Sequence, residues 1–110
     1  MTAKTRTPEP PGHLSRDAAA WFRSVVDDYE MEPHHVRLLA LAATAWDRAE
    51  EARSHIAVHG TTYTDRFGQP KARPEVAIER DSRIGFARLL RELGLESAPA
   101  GAPRPPGLKR

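Results

Sequence analysis

Residues 33–59 read PHHVRLLALAATAWDRAEEARSHIAVH, and this stretch decides the fold. Its part at 38–46, LLALAATAW, carries no charge on any helical face. A helix that is apolar all round must be covered all round. From Asp47 onward the stretch turns polar, with a narrow apolar seam at Ala45, Ala49, Ala52 and Ile56. Pro33 suits a first helical position, where a missing N–H costs nothing. Gly60 supplies the stop. The spacing predicts one helix of about 27 residues, roughly 40 Å long at 1.5 Å per residue.

The chain around that helix is small. It has 110 residues and 10 prolines, and seven of those prolines fall within 8–11 and 99–106. Proline blocks both helix interiors and central strands, so the ends read as tails. The expected organisation is a flexible N-terminal arm at 1–13, a helical domain at 14–95 and a flexible, basic, Pro-rich tail at 96–110. A core of roughly 80 residues is marginal alone and gains from oligomerisation. Leu38, Leu39, Leu41 and Trp46 are therefore the expected core and oligomer-interface residues.

Two further helices flank the long one. Ser15 is an N-cap, Asp17 suits the positive helix start, and Ala18, Trp21, Phe22, Val25, Val26 and Tyr29 recur at spacings of three and four. Trp21 and Phe22 share that stripe, which makes them core rather than a stacking platform. Pro74 opens the third helix, and Val76, Ile84, Phe86, Ala87, Leu89, Leu90 and Leu93 supply its apolar surface. Gly85 sits mid-helix at a cost of about 1 kcal/mol against alanine, which predicts a close helix crossing there. Gly94 ends the helix. Between the second and third helices, TTYTDRFGQPKARP (61–74) reads as a short β-hairpin with its turn at 65–68. Such a hairpin is marginal in water and is expected to lean on the helices or a neighbouring subunit through Tyr63 and Phe67. The fold class is mostly α, a three-helix core with a long central helix and a short β-hairpin between helices 2 and 3.

Composition excludes several classes. There is no cysteine, hence no disulfide and no thiolate metal site. No apolar run approaches the ~20 residues needed to cross a bilayer, and no apolar stretch follows Lys4 and Arg6 to make a secretory signal. The net charge is only +2, so this is not a densely basic DNA binder. The charge is uneven: residues 14–32 carry net −3, and residues 60–73 and 96–110 carry +2 each. These regions could serve different partners.

No catalytic constellation stands out. Asp27–Asp28 and Glu50–Glu51 are helical neighbours whose side chains diverge, whereas carboxylate-pair chemistry needs convergence. Phosphate loops, nucleophile elbows and dinucleotide fingerprints are absent. His55 and His59 have ligand spacing, but no third ligand is evident, and His34 and His35 read as solvated first-turn residues. No metal, cofactor or catalytic residue is expected. The cations Arg66, Lys71, Arg73, Arg80 and Arg83 cluster on and after the hairpin. They are the candidate DNA-contacting strip, diluted by Asp65, Glu79 and Asp81.

The ordered set of features resembles the small subunit of tailed-phage terminase, in its compact form from cohesive-end phages. It comprises PPGHLSRDAAAWFRSVV (10–26), HHVRLLALAATAWDRAEEARSHIAVHG (34–60), the Thr-rich insert TTYTDRFGQPKARP, and RLLRELGLESAPAGAPR (88–104). The family usually places Asp at the cap of the long helix, where this chain has Glu32. It usually places Asn before the proline of the third helix, where this chain has Arg73. The resemblance implies a non-enzymatic, ring-forming packaging subunit in the cytoplasm of an infected bacterium. Its partners would be double-stranded viral DNA and the large terminase subunit, with no membrane. The Pro-rich C-terminal tail is a candidate docking segment for that large subunit. The rival reading is a dimeric helical transcriptional regulator, which the missing short recognition helix disfavours.

Overall fold

A computed structural model of the chain describes residues 7–95. It contains α1 (Arg16–Asp28), α2 (Pro33–His59), β1 (Thr62–Thr64), β2 (Pro70–Ala72) and α3 (Pro74–Leu93). This is the expected mostly α architecture, with helices of 13, 27 and 20 residues. β1 and β2 pair antiparallel, with Thr62 opposite Ala72, Tyr63 opposite Lys71 and Thr64 opposite Pro70.

The ends of the elements follow from local chemistry. Ser15 caps α1, its Oγ accepting from Ala18 N at 3.1 Å. Pro33 and Pro74 occupy first-turn positions, where their fixed φ is already helical. At the start of α2, His35 Nδ1 accepts from Glu32 N at 3.1 Å, and the His34 and His35 rings lie 4.2 Å apart. The expectation of two merely solvated histidines is thus corrected: His35 closes the helix start. α3 begins with no side-chain cap at Arg73. Gly60 leaves α2 at φ 85°, ψ 179°, a region essentially reserved for glycine. Gly94 is left-handed, and Leu95 N then donates to Leu90 O at 3.1 Å. This 6→1 bond turns Leu95 back into the core, where it is buried with Phe22, Val25, Val26 and Leu39.

α1 covers only the lower half of α2. Phe22 and Leu39 are fully buried at that contact, each contributing about 1.5–3 kcal/mol relative to exposure. Leu14, Tyr29, Met31, Val36, Leu90 and Leu93 pack around them. Within the stretch expected as an arm, Leu14 N donates to Pro11 O at 3.3 Å and the His13 ring meets Thr44 Oγ1 at 2.8 Å. Above α1, α3 alone lies along α2 and buries Ala49, Ala52 and Ile56. Ion pairs flank this two-helix contact, Arg53–Glu79 at 3.8 Å and Arg83–Glu50 at 3.4 Å, and His55 Nε2 lies 3.6 Å from Glu75 Oε1. Their exposure limits each to about 0–1 kcal/mol.

α3 is only partly covered, the close crossing expected at Gly85 is corrected, and the hairpin support expected from either the helices or a neighbouring subunit does not come from the helices. No residue of α3 is fully buried, because only α2 and part of α1 stand against it. Nothing lies within 4 Å of a Cβ built at Gly85, so that glycine serves no close crossing inside the chain. Tyr63 and Phe67 do not anchor the hairpin on the helices. All six strand residues are exposed, and Phe67 is 74 % exposed.

Candidate functional site

The four residues expected in core and interface divide by helical direction. Leu39 points into the α1 contact and is fully buried, and Leu38 is half-buried. Leu41 is 58 % exposed. Trp46 lies at the margin, its ring 5.4 Å from that of Phe86. The uncharged half of α2 is therefore not covered all round within one chain. Other bulky apolar residues also face solvent, among them Val58 at the top of α2 and Ile78 and Ile84 on α3.

The residue that the sequence did not flag is Asp47. It opens the polar half of α2 yet is buried. Its carboxylate accepts from Ser15 N at 2.7 Å and from Ser15 Oγ at 2.5 Å. The hydroxyl that donates to Asp47 also accepts from Ala18 N. The cap of α1 is thus fastened to the middle of α2. No local pattern could have revealed this, because the partners are 32 residues apart.

At the N-terminal end of α1, beyond which α2 continues, an open cleft of about 1010 Å³ forms. Trp21, Trp46, Phe86 and Val58 give it apolar surface, and Asp17, Glu50 and Glu51 give it negative charge. Trp21 and Phe86 are 5.6 Å apart, so rings from all three helices meet there.

The five cations of the expected strip divide by the partners they meet. Arg83 Nη2 pairs with Glu79 at 3.0 Å and Glu50 at 3.4 Å, and its guanidinium lies 6.0 Å from the Trp46 ring. The hydrogen bond to Glu79 chiefly raises its pKa, against the opposing effect of desolvation. Arg80 pairs with Asp81 at 3.2 Å. The hairpin cations Arg66, Lys71 and Arg73 have no carboxylate partner among the described residues. Arg73 Nε donates to His59 O at 3.2 Å, and its guanidinium sits 5.9 Å from the Tyr63 ring. Because strand side chains alternate, Lys71, Arg73 and Tyr63 share one face of the hairpin. Asp65 is turned into the loop, where Oδ1 accepts from Phe67 N at 2.8 Å and Gln69 N at 2.9 Å.

His55 and His59 stack with ring centroids 4.4 Å apart. Among the described residues no group of three or more His, Asp or Glu side chains could hold a metal ion. No helix among them is long and apolar enough to cross a membrane. The candidate C-terminal docking tail lies outside the described residues.

These features define a helical chain with open apolar faces, a basic hairpin and an aromatic, acidic cleft. The family model described as phage terminase, small subunit, matches residues 18–101. The chain belongs to that family, and its role is connected with packaging viral DNA. No curated protein and no solved structure matches the chain.

Proposed function

We propose that the chain is a non-catalytic packaging subunit that assembles into a ring, engages viral DNA and recruits or regulates the large terminase subunit in the host cytoplasm. The observation that carries the assembly is the incomplete cover on α2 and α3. A 27-residue helix and a 20-residue helix leave Leu41, Trp46, Val58, Ile78 and Ile84 at the surface. Bulky apolar side chains left at the surface of both long helices support an interaction role for them. Residues 14–95 form the assembling unit, and the tails at 1–13 and 96–110 are the segments left for other partners.

DNA contact in this reading narrows from the five-residue strip to the hairpin. Arg80 and Arg83 are already neutralised by carboxylates. Lys71 and Arg73, on one face beside Tyr63, remain available to phosphate. Duplex binding measured across a salt series tests this. Lys71→Ala with Arg73→Ala should weaken binding and flatten the slope of log K against log salt by about 1.8, roughly 0.9 per lost phosphate contact. An unchanged slope would move DNA contact away from the hairpin.

A further inference from the structure

Two surfaces of the chain lack a role and complement one another. The first is the hairpin tip. Arg66 and Phe67 project from a turn fixed by the two Asp65 hydrogen bonds and by Gly68 at φ 80°. The Arg66 guanidinium lies 5.0 Å from the Phe67 ring centroid, so the tip presents an apolar ring and a cation as a unit. The neighbouring Asp65 carboxylate accepts from the loop backbone and makes no ion pair with Arg66. The second is the cleft at the N-terminal end of α1, with three aromatic rings and Asp17 and Glu51 at its border. In the chain itself the tip residues do not line the cleft.

We propose that the hairpin tip of one copy inserts into the cleft of a second copy. Phe67 lies among Trp21, Trp46 and Phe86, and Arg66 meets Asp17 and Glu51. The inference rests on the assembly reading above and names its contact. Charge complementarity selects the occupant. At the cleft Asp17 has no ion-pair partner among the described residues and Glu51 has only the exposed contact with Arg48 at 3.4 Å, so both can meet a cation, whereas Glu50 already pairs with Arg83; hairpin residues 60–73 carry net +2. Aromatic pairs at tilted geometries, like those already in the cleft, accept a further ring edge. The two contacting surfaces are different patches of the same chain. Each copy therefore gives one tip and receives one, a heterologous contact that closes into a ring where the rotation between copies permits. Lys71 and Arg73, one strand away from the tip, stay outside the contact.

The test uses the full chain and reads the concentration of half-assembly by light scattering, with circular dichroism as the control for folding. Phe67 is exposed in the chain, so Phe67→Ser leaves the fold intact. It should raise the half-assembly concentration at least about tenfold, as expected for loss of an aromatic anchor. Arg66→Glu and Glu51→Arg should each weaken assembly, and the two together in one chain should restore it to within about threefold of wild type. Assembly of Phe67→Ser at the wild-type concentration overturns the inference, as does a double reversal no better than either single change. Weaker duplex binding by Phe67→Ser with unchanged assembly also overturns it, and makes the tip a DNA contact instead. A wild-type chain that stays monomeric overturns the assembly reading itself, a failure visible before any substitution is made.

Discussion

Replacing Asp47 with alanine should loosen α1 from α2 and destabilise the chain by about 2–4 kcal/mol. The magnitude follows from what the carboxylate holds. It accepts two hydrogen bonds from Ser15, at 2.7 Å from the backbone N–H and 2.5 Å from Oγ. Hydrogen bonds to a charged acceptor contribute about 1.5–3 kcal/mol each, and water entering at this partly buried position recovers some of that. The Ser15 hydroxyl also caps α1, and a cap contributes about 1 kcal/mol that is weakened when its orientation is lost. For a small domain with roughly 5–15 kcal/mol in total, the loss is a large fraction. Asp47→Asn keeps one acceptor oxygen and the side-chain shape, so it should lose about half as much. Urea unfolding followed by circular dichroism and tryptophan fluorescence measures the difference. Protein concentration must match wild type, since assembly would contribute to apparent stability. Trp21 on α1 and Trp46 on α2 flank the region being loosened, so fluorescence should respond at least as early as helicity. A loss below about 0.5 kcal/mol would refute the reasoning, because an unmade bond to a buried group should cost more.

Gly85→Ala should stabilise the isolated chain by up to about 1 kcal/mol, the difference in helix propensity, because the added Cβ meets nothing within 4 Å. Thermal unfolding at low concentration checks this, and a lower melting temperature would contradict it. Tyr29 has its pKa raised above 10.0, first by burial and second by Asp28. The folded state therefore favours the neutral phenol. That stability is fully present below the unfolded value of 10.0 and is lost as pH rises through the folded value. Melting temperature should fall in this alkaline window for wild type and fall less for Tyr29→Phe; equal falls would show that Tyr29 does not contribute.

The elements were legible because their ends carry strong local signals. Ser15, Pro33, Gly60, Pro74 and Gly94 each act through the backbone of their own turn, and each marks an observed boundary. The heptad-like spacing of Ala49, Ala52 and Ile56 likewise foretold a buried seam, since helical periodicity is a property of the chain alone. Partnerships between elements were not legible. Asp47 reads as the start of a polar face, and only the arrival of Ser15 buries it. Arg83 reads as a free cation, yet Glu50 on α2 and Glu79 one turn back both reach it. Gly85 reads as a crossing point, but the helices meet along a different face of α3. Phe67 reads as an anchor, and within one chain it has nothing to anchor on. The family resemblance rested on order and spacing, and the family match covers residues 18–101. Membership supplies the packaging role.

In the proposed assembly the open faces of α2 and α3 and the exposed hairpin are covered by further copies of the same chain. Native mass spectrometry of the full chain near neutral pH tests it most directly. One dominant mass is expected, that of a closed assembly of several copies, with no ladder of larger species, because a ring leaves no free tip or cleft. A monomer or a simple dimer at concentrations well above micromolar would contradict it.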